Sequence, residues 1–250
     1  MLNYMTFGDE KSPPVMIVHG LYGSGRNWGV IAKRLSNEFY VITVDLRNHG
    51  DSPWLDTHNY HVMADDLVEV INSLNIKPNF IGHSMGGKVA MVLALKRPNL
   101  VRNLIIADIA PVKYEHDQSQ FIEAMQKVDL SKVEKRSDAT LALSKFVEDK
   151  SLQNFFTQSL DIKAKRWKLN LKVLRSEMSE ILSFPKIESE FSGHALFLKG
   201  EKSDYIKPEH RKLIKSLFTK ARFATFKEAG HWLHAEKPRE FESAARLFFS

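Results

Sequence analysis

The run Gly82–Gly86 reads Gly-His-Ser-Met-Gly, which has the residue types and spacing of a serine nucleophile held on a tight turn. It follows an apolar run that predicts a strand, Asn79–Ile81, and precedes a helical pattern over Met85–Lys96. Small residues two positions before and after Ser84 let the chain turn sharply enough to expose its hydroxyl. Such a serine can attack an acyl carbon if a base takes its proton.

His231 is the predicted base among the ten histidines of the chain. It follows the last predicted strand and precedes the last predicted helix, and nucleophile first with histidine last is a known order for this catalytic arrangement. His83 is adjacent to Ser84 and is expected to point elsewhere. His234 is interpreted as structural or pocket-lining, because no third ligand accompanies the two C-terminal histidines. No metal site is therefore predicted.

The acid that orients His231 has two candidates. Asp108 directly follows the predicted strand Leu104–Ala107, and functional residues collect at the carboxyl ends of parallel strands. Asp204 follows a later strand, but it stands one residue beyond the usual position of the acid, which Ser203 occupies. We favour Asp108 and keep Asp204 as the rival acid.

The oxyanion formed during acyl transfer needs preorganised hydrogen-bond donors. The backbone amide of Met85 is one predicted donor. The second is expected from the loop after the first core strand, where Gly20 lets the Leu21 amide turn inward. Tyr22, Tyr205 and Trp232 are predicted to bind substrate at the mouth of the site.

Strands and helices alternate along the parts of the chain that carry these residues. This alternation predicts an α/β fold with a mostly parallel central sheet and helices on both faces. Helical spacing of apolar residues is clear over 63–74, 85–96 and 241–248. The predicted strands are Val15–Val18, Tyr40–Val44, Phe80–Ile81, Leu104–Ala107, Ala195–Leu198 and Phe223–Phe226.

The alternation breaks over residues 111–190, where only helical patterns and loops are found. We interpret this segment as a helical cap inserted into a core of residues 1–110 and 191–250. The cap is expected to supply an apolar pocket. Its candidate lining residues are Phe121, Met125, Phe155, Phe156 and Trp167.

Composition excludes several classes of site. The chain of 250 residues contains no cysteine, so disulfides, thiolate metal sites and cysteine nucleophiles are ruled out. No secretory signal or membrane span is recognised, which predicts a cytoplasmic protein. The net charge of +6 comes mostly from residues 207–227, which are interpreted as a solvated face. No nucleic-acid partner is expected, because no aromatic residues are interleaved there.

The chain has five segments that share a pattern with one known family: His19–Ser24, Asp45–Gly50, Gly82–Lys88, Asp108–Pro111 and Gly230–Pro238. Together they resemble the YbfF-like family of serine esterases, which are small capped enzymes of the α/β-hydrolase fold. The resemblance covers most of the core and is weakest in the cap. It implies hydrolysis of short-to-medium acyl esters, including thioesters such as acyl-CoA, without a metal or organic cofactor. It also implies an acid at Asp108. One departure is the run Ser203-Asp204-Tyr205, where family members carry Ser-Pro-Tyr.

The sequence therefore predicts a serine carboxylesterase or thioesterase that acts through an acyl-enzyme. An acyltransferase or a carbon–carbon bond hydrolase could use the same three residues. A binding protein that keeps the fold and uses the pocket as a receptor is a further alternative, because fold alone does not fix function. Ser84 excludes the dehalogenase and epoxide hydrolase chemistry that needs an aspartate nucleophile.

Overall fold

A seven-stranded sheet forms the centre of the molecule in a computed structural model that describes residues 1–250. A separate two-stranded hairpin lies outside it. The strands are β1 (Tyr4–Phe7), β2 (Pro14–Val18), β3 (Tyr40–Val44), β4 (Asn79–His83), β5 (Leu104–Ala107), β6 (Leu160–Asp161), β7 (Arg166–Trp167), β8 (Phe191–Gly200) and β9 (Phe218–Phe226).

The central sheet has the strand order β1-β3-β2-β4-β5-β8-β9. Every neighbouring pair is parallel except β1 and β3, so the sheet is mostly parallel, as the sequence predicts. All six predicted core strands are present. β1 was not predicted, because it is a short edge strand without an apolar run. The parallel strands end at one edge, and the loops that follow β2, β4 and β5 carry the candidate chemistry there.

Helices cover both faces of the sheet because the buried strands are apolar on both sides. Met16 and Val18 face the larger core, which includes residues of α2 and α3, whereas Val15 and Ile17 face the core formed with α1 and α11. The helices are α1 (Gly29–Leu35), α2 (Tyr60–Leu74), α3 (Met85–Lys96), α4 (Ser119–Gln126), α5 (Arg136–Leu143), α6 (Lys150–Gln158), α7 (Leu171–Ser176), α8 (Met178–Leu182), α9 (His210–Leu217), α10 (Leu233–Glu236) and α11 (Pro238–Phe249). None of them is both long and apolar enough to cross a membrane.

The segment 111–190 holds α4 to α8 and also the hairpin β6–β7, so the expectation of helices and loops alone was wrong. Each hairpin strand has only two residues, too few to show a period of two in the sequence. The chain after the hairpin joins the core loop that follows β3. The Gly50 amide donates to the Lys168 carbonyl at 2.8 Å, and the Asn170 amide donates to the Asn48 carbonyl at 2.9 Å. The division into core and cap at residues 111 and 190 stays a prediction.

Candidate active site

Ser84 lies on the sharp turn between β4 and α3. Its backbone is left-handed, with φ 50° and ψ −120°, an unfavourable conformation for a residue with a side chain. Only glycine fits at the positions two before and two after Ser84, because a larger side chain would clash with backbone. A Cβ atom added to Gly82 would lie 2.6 Å from the Gly86 carbonyl oxygen, and one added to Gly86 would lie 2.3 Å from the Val18 carbonyl oxygen. The glycines therefore allow β4 and α3 to meet closely and present the Ser84 hydroxyl.

His231 and Asp108 meet beside Ser84. The Nδ1–H group of His231 donates to Oδ2 of Asp108 at 2.8 Å, which leaves Nε2 as the nitrogen that can accept the Ser84 proton. Asp108 is completely buried, whereas His231 is partly exposed and lines the same cavity as Ser84. The arrangement has the parts of a nucleophile, a base and an orienting acid.

Two further donors hold the Asp108 carboxylate. The Ser203 hydroxyl donates to Oδ2, and the Gly200 amide donates to Oδ1 at 3.0 Å. Asp204, the rival acid, is exposed and makes no side-chain hydrogen bond or ion pair. The supporting role of Ser203 was missed from the sequence. Its presence where an acid usually stands was the available signal.

The two predicted oxyanion donors lie at the same cavity. Met85 is the first residue of α3, so its amide has no acceptor within the helix. The Leu21 amide belongs to a turn and donates to no group of the protein. The adjacent amide of Tyr22 instead donates to Nε2 of His49 at 3.2 Å. Leu21 and Met85 are thus the amides available to a substrate oxygen.

A row of buried histidines lies behind this oxyanion loop. His19 accepts a hydrogen bond from the Leu46 amide through Nε2 at 3.0 Å, and His49 accepts one from the Tyr22 amide. Burial lowers the pKa of both His19 and His49, and nearby histidines lower that of His49 further. Both rings are therefore neutral acceptors at neutral pH. His58 continues the row, with its Nε2 3.5 Å from Sδ of Met85.

The polar run after β3 supports this loop instead of lining the cavity. Asp45 accepts the Gly25 amide at 2.7 Å, and Arg47 forms a buried ion pair with Asp66 at 2.5 Å. Neither Asp45, Arg47 nor His49 lines the cavity. These three side chains therefore hold neighbouring loops and helix α2 in place and are not part of the pocket lining.

His83 and His234 pack near His231. His83 donates from Nε2 to the His231 carbonyl at 2.9 Å, and burial lowers its pKa well below the usual value. His234 stacks on Trp28 at 4.0 Å between ring centroids, and burial lowers its pKa to about 3. Both also border the cavity. No group of three or more His, Asp or Glu side chains could hold a metal ion.

The cavity has a volume of about 220 Å³ and is lined mainly by apolar residues. Tyr205 stacks on the ring of His231 at 4.0 Å, and the Tyr22 hydroxyl donates to the Gln118 carbonyl at 2.9 Å. Burial raises the pKa of Tyr205 to about 12. Met125 and Trp167, both predicted to line the pocket, are buried in the cap instead, where Trp167 Nε1 donates to the Met125 carbonyl. The apolar wall consists of Phe121, Leu152, Phe155, Phe156 and Trp232.

Comparisons with known proteins agree with this geometry. Residues 13–238 match the family described as alpha/beta hydrolase fold. The sn-1-specific diacylglycerol lipase ABHD11 of Mus musculus is 38% identical over 97% of this chain and 83% of its own length. Esterase YbfF of Escherichia coli is 36% identical over 96% of this chain and 94% of its own length.

A solved structure named as a marine microorganism esterase has a TM-score of 0.94 and 39% identity to this chain. The match covers 99% of this chain and 98% of that one. The chain therefore belongs to the α/β-hydrolase fold family and, within it, to the YbfF-like esterases, a group of carboxylic ester hydrolases.

Proposed function

We propose that the protein hydrolyses short-to-medium acyl esters, including acyl thioesters such as acyl-CoA, through a covalent acyl-enzyme on Ser84. His231 is the general base and Asp108 is the acid that orients it. The observation that carries the proposal is the contact of His231 Nδ1 with Asp108 at 2.8 Å, together with the cavity that His231 shares with Ser84 on its strained turn.

In the first half of the reaction, His231 Nε2 takes the Ser84 proton while Oγ bonds to the acyl carbon. The amides of Leu21 and Met85 stabilise the oxyanion of the tetrahedral intermediate. His231 then gives its proton to the departing alcohol or thiol. In the second half, His231 takes a proton from water, the hydroxide adds to the acyl carbon, and the ester bond to Ser84 breaks. The proton returns to Ser84 and the acid leaves.

The apolar wall favours acyl chains over charged ones on that side of the cavity, because desolvating apolar surface is favourable. Tyr205 and Trp232 flank His231, so they are placed to limit the chain length of the substrate. The relatives named as a diacylglycerol lipase and an esterase support ester substrates. Thioester hydrolysis and a cytoplasmic location stay predictions.

The direct test is hydrolysis of p-nitrophenyl esters of increasing acyl length by the wild type and by Ser84→Ala. We expect the substitution to lower kcat at least about a thousandfold, because it removes the nucleophile. Ser216→Ala is the matched control, since this exposed serine lies on α9. We expect it to retain wild-type activity.

Three results would redirect the proposal. Transfer of the acyl group to a dilute added alcohol, in preference to water, would establish an acyltransferase. Wild-type protein that hydrolyses no ester and is not labelled by a fluorophosphonate probe would indicate a non-catalytic receptor. Cleavage of a carbon–carbon bond in a 1,3-diketone, with no ester cleavage, would indicate a carbon–carbon bond hydrolase.

A further inference from the structure

Lys88 is a buried cation in the wall of the active-site cavity. Only 1% of its surface is exposed, and it follows Ser84 by one turn of α3. Its Nζ donates to the carbonyl oxygens of Leu182 and Ser183 at 3.0 and 2.5 Å, at the C-terminal end of α8.

Aromatic rings flank the same ammonium group. Nζ lies 4.8 Å from the ring centroid of Tyr114 and 5.5 Å from that of Tyr60. Such contacts stabilise a cation without neutralising it. The two tyrosines and Lys88 all line the cavity, so they add a polar patch to its mainly apolar lining.

The charge of Lys88 has no counter-ion. No carboxylate of the protein lies within ion-pair distance of Nζ, and an ammonium group has three donors, of which Leu182 and Ser183 use two. Burial lowers the pKa of Lys88 to about 7, with no acidic neighbour to oppose the shift. An unpaired buried charge is costly, and such groups concentrate at functional sites.

A purely structural role explains only part of this arrangement. Lys88 does link α3 to the end of α8, but a neutral donor could serve two carbonyl oxygens without a buried charge. One donor remains at the cavity wall, and an anion that arrives with the substrate would use it and favour the protonated form of Lys88.

We propose that Lys88 binds a carboxylate carried by the substrate, about one helical turn from the scissile ester. This inference rests on the proposed esterase function and narrows it to esters with one acidic end. A carboxylate fits better than a bulky dianion, because the cavity holds only about 220 Å³ and its lining is mainly apolar.

The spacing from Ser84 limits where that carboxylate sits. Four residues of α-helix advance the chain by about 6 Å, and helical side chains lean back toward the N-terminus, which here means toward Ser84. The carboxylate must therefore be separated from the ester by a short spacer. It can belong to the acyl part or to the alcohol part of the ester.

Two matched substrate pairs distinguish these sources. For the acyl side, monoethyl succinate is compared with ethyl levulinate, in which a methyl ketone replaces the carboxylate. For the alcohol side, acetoxyacetate is compared with acetoxyacetone. In each pair the measurement is the ratio of kcat/KM for the acid to kcat/KM for the ketone.

We expect the wild type to prefer the acid of one pair, and the preferred pair identifies the side that carries the carboxylate. Lys88→Gln, which keeps a donor for the carbonyl oxygens, should reduce the ratio about tenfold or more, the loss of one charge-assisted hydrogen bond. Lys88→Met should do the same. Lys96→Met removes a cation from the far end of α3 and should leave the ratio unchanged.

If Lys88 has a purely structural role, its substitution will change kcat/KM for both substrates of a pair equally. The ratio will then stay the same, and this result would overturn the inference. Wild type that prefers the ketone in both pairs would overturn it without any variant. If neither ester is cleaved, the proposed function fails. Calorimetric binding of monoethyl succinate to Ser84→Ala, with and without Lys88→Gln, then decides whether Lys88 binds the anion.

Discussion

His49 is expected to contribute to catalysis without touching the substrate. Its Nε2 accepts the amide of Tyr22, so it fixes the turn that presents the Leu21 amide to the oxyanion. His49→Phe keeps an aromatic ring of similar size but removes the acceptor. The Tyr22 amide is then buried without a partner, and the turn is free to rotate toward water or another acceptor.

The expected loss of kcat is worked from the typical effect of deleting an oxyanion donor. Deleting one oxyanion donor typically lowers kcat by about 10²- to 10³-fold. Because His49→Phe displaces the Leu21 amide without deleting it, we expect the lower end, about a hundredfold. KM should change little, since the oxyanion exists only in the transition state. The unpaired amide should also lower the free energy of unfolding by about 1–3 kcal/mol.

The assay is kcat and KM for p-nitrophenyl acetate, together with urea unfolding of each variant. His49→Gln is the matched control, because its amide oxygen can accept the Tyr22 amide near the position of Nε2. We expect it to recover much of the lost kcat. A folded His49→Phe protein with wild-type kcat and reduced stability would show that His49 only packs, and the positioning role would have to be abandoned.

Two further predictions concern the acid and the response to low pH. Asp108→Ala should lower kcat by about 10³- to 10⁴-fold in the same ester assay, whereas Asp204→Ala should change it less than about twofold; the opposite ranking would transfer the role of the acid to Asp204. Burial lowers the pKa of His58 and His234 to about 3, so below pH 6.5 the unfolded chain binds protons that the folded protein does not. The free energy of unfolding should therefore decrease by about 2 kcal/mol for each of these histidines between pH 6.5 and 5. Urea unfolding across this range measures the decrease, and a flat profile would contradict it.

The elements that depend on local pattern could be predicted from the sequence. Apolar runs predicted the six parallel strands, including the largely exposed edge strand β9. The glycine spacing around Ser84 predicted the turn between β4 and α3. β1 and the hairpin β6–β7 could not be predicted, because a strand of two to four residues carries too little periodicity. Their pairing depends on partners distant in the chain.

The contacts that complete the site could also not be predicted from local sequence patterns. Ser203 reaches Asp108 across 95 positions of sequence, so no spacing rule connects them. Left-handed backbone at Tyr22 and Ser84 is equally hidden, because neither residue type favours that conformation. Asp108 shares the conformation, and although aspartate adopts it more readily, nothing local in the sequence marks the position. Tertiary packing imposes it after three of the parallel strands, where the active site is assembled. Asn48, after β3, has the same conformation and a side chain that tolerates it readily.

The backbone hydrogen bonds between the segment 111–190 and the loop after β3 have a consequence for protein engineering. Residues 168–170 bond to the backbone of residues 48–50, and that same short loop carries the histidine that fixes the oxyanion turn. The unit that can be exchanged between relatives is therefore larger than residues 111–190. A chimaera that imports a foreign cap must import the matching residues 47–51 as well, or it will change the rate of the reaction together with the choice of substrate.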